Sequence, residues 1–435
     1  MSRIGVILRR WLPLAVSFEL MMLEGPAFQA AIGRLADPAL NLAAWGLALS
    51  LSLLIESPVI MLLGTTVALA RDPGSICAIR RFTLTLCGLG TLLTGLVAFS
   101  PLFDWITIRL MGQPEAIVSA ARPAMRTMLF WTAAIGWRRF NQGILVRYGH
   151  THLVSYGTAV RLTTAVGTAV LLVGYGRLGG VQVASVAVMA AVVGEALVTT
   201  LFVRPVLRRI VVDQSDAPMS TLSQRDIARF HLPLAATTLL MLLAQPMTMA
   251  ALARLSSPTQ TLAAWPVAFM VLLVIRGGGI AYQEITVAQC KTPLADAPLR
   301  QTAWLLGSLG TIAALGMAVT PALSVYLMHV VEAPSALYPL VASGIAYGSL
   351  TPLLTALGSW ARGLLMGAGT TREVYRGMVV GLTTMALTLV IAVGLHADPM
   401  ASAAGATTLA SATEYVYLIH AKRRLARAEG MIPSV

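Results

Sequence analysis

The sequence predicts an all-α integral membrane protein of twelve transmembrane helices, arranged as two six-helix bundles in parallel repeat with both termini in the cytoplasm. Three observations lead there. The 435-residue chain is 57% hydrophobic and only 11% charged, whereas soluble domains carry about 25% charged residues. Apolar stretches of about 20 residues, the length that crosses a bilayer, recur from end to end. The chain also repeats itself at a shift of 220 residues, and such self-similarity constrains a fold more than any local pattern.

The repeat is densest from Leu12 to Trp45, where seventeen of thirty-four positions match their counterparts without a gap. Leu12-Pro13-Leu14-Ala15 returns as Leu232-Pro233-Leu234-Ala235, and Leu42-Ala43-Ala44-Trp45 as Leu262-Ala263-Ala264-Trp265. The register persists downstream, where Gly143, Leu145, Gly149 and Thr151 fall on Gly363, Leu365, Gly369 and Thr371.

In order, the spans are expected at roughly 11–34, 41–69, 82–103, 122–147, 151–174, 180–203, 231–254, 261–288, 301–328, 335–366, 373–396 and 399–421. Turn residues such as Ala36-Asp37-Pro38, Arg71-Asp72-Pro73-Gly74 and Ala397-Asp398-Pro399 supply the short connections. The longest polar connection, 206–229, is read as a cytoplasmic linker with a short surface helix. It separates an N-terminal lobe, 1–205, from a C-terminal lobe, 230–435. The basic run at the N-terminus resembles a signal peptide, but the copy of the following segment lies deep inside the chain, so retention is expected.

Lysine and arginine set the orientation. Twenty lie at the termini and in loops after even-numbered helices, against five on the opposite side, which puts both ends in the cytoplasm. With an even number of helices per half, the two copies insert the same way up. Secondary transporters built on this plan bind substrate between the halves.

Several classes are excluded. The net charge of +13 is spread over helix ends rather than gathered on a soluble module, so nucleic acid is not an expected partner. Cys77, Cys87 and Cys290 lack the spacing of a disulfide framework or a metal site. No Gly-x-x-x-x-Gly-Lys-Ser/Thr loop occurs, and Lys291 follows Cys290 rather than glycine. No nucleophile–base pair suggests an enzyme. The expectation is therefore no cofactor and no metal, with a sodium ion or a proton supplying the driving gradient.

The chemistry lies in ionisable residues inside the spans, where each charge costs at least ~2.5 kcal/mol on insertion scales. Six arginines (Arg126, Arg138, Arg139, Arg161, Arg276, Arg362) and six glutamates (Glu19, Glu24, Glu56, Glu195, Glu284, Glu414) qualify. Glu24, Glu56, Arg161 and Arg276 fall near mid-span. Glu56 and Arg276 are equivalent under the 220-residue shift, so halves facing across a cleft would oppose unlike charges, forming a gate or a substrate clamp.

Glu24 precedes Gly25-Pro26, and the proline leaves the carbonyl of Met22 without its helical donor. A bared carbonyl beside a carboxylate suits a proton or a sodium ion, and Pro26 with its copy Pro246 is read as a pair of hinges. Arg138, Asn141 and Gln142, spaced i, i+3 and i+4, share one helical face with donors for carboxylate or phosphate oxygens. Arg362 is the copy of Gln142. The structural alternative is that these arginines neutralise Glu56 and Glu195.

Leu12-Pro13-Leu14-Ala15 with Glu24 downstream, Gln142-Gly143-Ile144-Leu145 followed by Leu153-Val154, His231-Leu232-Pro233-Leu234-Ala235, and Gly405-Ala406 with Glu414 together resemble the MATE-like superfamily of multidrug extruders and lipid-linked sugar flippases. The local sequence is most similar to the progressive ankylosis family. That resemblance implies secondary active export of a small anionic metabolite of the citrate, nucleotide or pyrophosphate class, by alternating access of two lobes. Arg138, Arg139, Asn141, Gln142, Arg161, Arg276 and Arg362 would contact the anion. Glu24, Glu56 and Glu195 would couple ions. The expected form is a monomer in the plasma or bacterial inner membrane. The alternatives are a lipid-linked oligosaccharide flippase and a proton- or sodium-coupled multidrug cation extruder.

Overall fold

The chain's preference for long apolar helices is realised throughout, with no strand among the described residues. The computed structural model describes residues 3–213, 222–289 and 297–428; the middle of the polar linker and the Cys290-Lys291 pair lie outside them. The helices are α1 (Arg3–Met22), α2 (Glu24–Gly33), α3 (Pro38–Ile60), α4 (Leu62–Leu69), α5 (Pro73–Phe99), α6 (Leu102–Asp104), α7 (Glu115–Thr127), α8 (Trp131–Arg147), α9 (Thr151–Tyr175) and α10 (Gly180–Asp213). The second half follows with α11 (Gln224–Leu252), α12 (Pro258–Gln289), α13 (Ala297–Val319), α14 (Pro321–Tyr326), α15 (Tyr338–Tyr347), α16 (Thr351–Gly367), α17 (Thr371–Gly394) and α18 (Pro399–Ala428).

The duplication is written into the backbone. Among the described residues, eight adopt left-handed φ, and they form four pairs separated by 220: Asp37 and Ser257, Gly112 and Glu332, Gly149 and Gly369, Gly176 and His396. Gly149 and Gly369 show why the position recurs. Each follows a helix end at which the next amide turns back to a carbonyl five residues earlier, His150 to Leu145 at 2.7 Å and Thr370 to Leu365 at 2.9 Å. This closure needs a left-handed residue between, which glycine adopts without a steric penalty. At other helix starts the local chemistry is individual: Asp72 accepts from the Ser75 amide at 2.9 Å, and the Ser75 hydroxyl accepts from the Asp72 amide at 3.0 Å, fixing the start of α5.

Nine helical segments among the described residues are long and apolar enough to cross a membrane. The three other expected spans are α1–α2, α7–α8 and α18. The first two carry Glu19, Glu24, Arg138 and Arg139, and α18 is rich in alanine, serine and threonine. Each is the 220-residue counterpart of a qualifying segment, respectively Gln224–Leu252, Ser335–Gly367 and Gly180–Val212. The chain is thus a multi-pass integral membrane protein whose halves follow one plan.

Two compact units emerge, and their boundaries differ from the contiguous lobes 1–205 and 230–435. One unit comprises Met1–Gly33 with Met247–Val435, the other Arg34–Pro246. The cause is visible in each core. In the first unit Ile7 of α1 is buried with Tyr282, Trp360 and Leu364, and the Trp11 indole donates to the Gly278 carbonyl at 2.8 Å. In the second, Ile227 of α11 is buried with Ile79, Phe140 and Val203.

The two expected hinges differ. At Pro26 the first span is interrupted, with α1 ending at Met22 and α2 starting at Glu24. At Pro246 the helix α11 continues, and the division between units falls at this residue.

Candidate functional site

The sequence-derived candidates separate into two buried polar groups, one in each unit. In the unit Arg34–Pro246, helix α8 supplies Arg138, Arg139, Asn141 and Gln142, α9 supplies Arg161, α10 supplies Glu195 and α3 supplies Glu56. Glu195 is fully buried and is the hub. Arg138 Nη1 donates to Glu195 Oε2 at 2.5 Å, Gln142 Nε2 donates to Oε1 at 3.0 Å, and Arg161 Nη1 lies 3.9 Å from Oε2. The i, i+4 spacing of Arg138 and Gln142 brings both to one carboxylate, as a shared helical face requires. Gly157 of α9 leaves room here, since a Cβ on it would meet Thr199 and Glu195.

Glu56 is held by a residue that sequence reasoning passed over. The indole of Trp131, at the first turn of α8, donates to Glu56 Oε2. Arg138, Arg139 and Arg161 are its charged neighbours. Asn141 faces elsewhere on α10, donating to Thr200 Oγ1 at 3.0 Å beside the Trp137 indole at 2.8 Å.

The electrostatics of this group are unbalanced. Three arginines face two glutamates, leaving one positive charge in excess among the side chains gathered here. Donor capacity is also left over: Arg138 and Arg139 each keep a buried Nε with no hydrogen-bond partner among the described residues. Buried polar groups are ordinarily satisfied, so leftover donors in a cationic cluster favour an anionic visitor.

In the other unit the group is smaller, with two arginines against three glutamates. Arg362 Nε of α16 lies 3.1 Å from Glu414 Oε1 of α18. Arg276 of α12 stacks over Phe269, its guanidinium carbon 5.2 Å from the ring centroid. Glu19 of α1, which the sequence placed in a span without assigning a role, sits where a Cβ on Gly277 would meet its Oε1. Glu24 is buried at the start of α2, and neighbouring Gln29 donates to the Pro266 carbonyl at 2.9 Å. Glu56 and Arg276 thus each find partners within their own unit.

The repeat links the two groups. Gln142 pairs with Glu195, and its copy Arg362 pairs with Glu414, one residue from the position equivalent to Glu195. What duplicated is a contact between two helices; the residue types that fill it then diverged.

A third buried group, outside the expected site, ties α11 to the break between α3 and α4. His231, 1% exposed, lies 2.7 Å from the Pro58 carbonyl through Nε2 and 2.9 Å from Thr65 Oγ1 through Nδ1. His231→Phe is expected to leave both partners buried and unbonded and to cost about 2 kcal/mol. Thermal unfolding in detergent checks this, and an unchanged midpoint would refute it.

No protein-family model and no curated protein matches the sequence. Solved structures do match. An outward-facing multidrug resistance MATE family transporter of the MOP superfamily aligns with a TM-score of 0.65 at 17% identity, covering 97% of this chain and 95% of that one. The lipid II flippase MurJ in an inward closed conformation gives 0.68 at 11% identity, covering 95% and 87%. A MOP superfamily transporter from Pyrococcus furiosus, described as having a binding pocket of reverse polarity that suggests a different function, gives 0.59 at 16% identity, covering 97% and 95%. At these identities the likeness establishes a shared fold, the MATE-like one.

Proposed function

We propose that this protein is a secondary active transporter that exports a small anionic metabolite by alternating access of its two halves. The observation that carries the reading is the buried group around Glu195, cationic by one charge and with unused donors on Arg138 and Arg139. An anion with several oxygens would take those donors and cancel the excess charge. Relatives in fold support the transport part: one MATE family transporter is outward-facing and another structure of that family is inward-facing, the two access states the mechanism needs. A fold relative whose binding pocket is described as of reverse polarity, suggesting a different function, supports the idea that pocket charge varies on this fold.

In this reading the chain has twelve spans, each of the three less apolar ones crossing as its repeat partner does, with both termini cytoplasmic. Arg138, Arg139 and Arg161 contact the anion, and Gln142 orients Glu195 beside them. Arg276 and Arg362 are the candidate anion contacts of the other unit. Glu24, Glu56 and Glu195 couple a proton or a sodium ion, and Pro26 and Pro246 are the hinges. The chain acts as a monomer in a plasma or bacterial inner membrane, as a member of the progressive ankylosis family.

Uptake of labelled citrate, ATP and pyrophosphate into inside-out vesicles, with and without a pH or sodium gradient, tests this directly. At least one of these anions should be taken up, and Arg139→Gln should lower its uptake about tenfold while leaving the folded yield unchanged, the scale expected for one lost charge-assisted contact. Movement of ethidium with no anion signal would reverse the assignment in favour of cation extrusion. The MurJ likeness supports a second reading, flipping of a lipid-linked oligosaccharide. Transbilayer movement of a labelled lipid-linked sugar, with no soluble anion taken up, would select it.

A further inference from the structure

We infer that the unit Arg34–Pro246 carries a binding groove for one anionic phospholipid, lying between α5, α8 and α10. The groove has a volume of about 430 Å³, in the range of small-ligand sites. Its wall is largely apolar, with Phe140 and Val203 buried beneath it and Leu207 beside them. Such a surface suits acyl chain. At its rim Arg80 of α5 and Arg204 of α10 are both exposed. Among the described residues no ion pair engages either guanidinium.

Charge complementarity identifies the headgroup. Two guanidinium groups beside an apolar trough match a phosphodiester on a hydrocarbon tail, and each arginine near a membrane surface attracts anionic lipid. They sit near the end of the unit where Arg71, Arg147, Arg208 and Arg209 are also exposed, as a helix boundary at a lipid headgroup layer would require. A second, independent observation lies deeper. Asn141 also lines the groove and is fully buried, and its side-chain carbonyl oxygen has no hydrogen-bond partner among the described residues. Its amide is already spent on Thr200. What is missing is a donor, and the hydroxyls of a glycerol headgroup supply one where a choline cannot. The donor separates phosphatidylglycerol from phosphatidylcholine, and the two guanidinium groups at the rim, which repel a headgroup ammonium, favour the anionic lipid over other zwitterionic ones. The inference stands on this unit alone and does not depend on which solute is transported.

Native mass spectrometry of the full-length protein in detergent, titrated with phosphatidylglycerol or phosphatidylcholine, tests it. The wild type should retain one phosphatidylglycerol with about tenfold preference over phosphatidylcholine. The double variant Arg80→Gln/Arg204→Gln should retain the two lipids equally, while Arg177→Gln, on the loop between α9 and α10, should keep the preference. Millimolar inorganic phosphate should not displace the lipid. Equal retention by the wild type, a preference that survives in the double variant, or displacement by phosphate alone would each overturn the assignment, the last by pointing to a free-phosphate site.

Discussion

Glu195→Gln is expected to destabilise the protein by about 3 kcal/mol, because it strips the shared counter-charge from Arg138, which is buried, and from Arg161. Glu195 is fully buried and Arg138 4% exposed, with 2.5 Å between their charged atoms. Arg138 cannot retreat to solvent without unpacking α8 from α10. The pair itself contributes less than its rupture costs, since both charges had to be desolvated to form it. Glu195→Leu/Arg138→Met should therefore recover most of the lost stability while abolishing transport. The measurement is the melting midpoint in detergent for the two single variants and the double. A single variant that melts like wild type, or a double that melts below both singles, would show that the contact does not hold these helices together.

The second large effect is expected at the two glycines that the repeat carries into helix packing. A Cβ on Gly143 would lie 2.5 Å from Thr66 Cβ and 3.0 Å from the Leu63 carbonyl; one on Gly363 would lie 2.6 Å from Thr286 Cβ and 2.9 Å from the Gln283 carbonyl. All four partners obey the 220-residue shift. Glycine here permits the close helix approach on which membrane packing relies. Because the obstruction includes backbone, side-chain rotation cannot relieve it, and Gly143→Ala and Gly363→Ala should each cost about 3 kcal/mol. Thr66→Gly and Thr286→Gly, each added in its own unit, should restore part of the loss. Alanine tolerated at one glycine and not at the other would mean that the two halves do not share this contact.

These two cases mark where reading the sequence succeeds and where it stops. The paired glycines were visible as identities in the 220-residue register, and the common face of Arg138 and Gln142 followed from helical pitch. That Glu195 receives both was not visible: an intramembrane arginine had two acids to choose from, Glu56 and Glu195, and spacing along a helix says nothing about which neighbour its face meets. Trp131 escaped notice for a related reason. Indoles in a hydrophobic chain read as packing, and its partner Glu56 is 75 residues away. The boundaries of the compact units were hidden as well, because the polar linker draws the eye to a cut after the sixth span. Ile7 and Trp11 on one side, and Ile227 and His231 on the other, pack across that cut in sequence.

From its amino acids alone, then, this protein was determined to be helical, membrane-embedded and internally duplicated, since hydropathy, helical period and repeat register are properties of a chain before it folds. Which charges pair, which helices share a core and where donors are left unused were decided only by tertiary structure. The reason is geometric: pitch assigns each residue a direction around its own helix axis, but the partner found in that direction depends on how the helices pack.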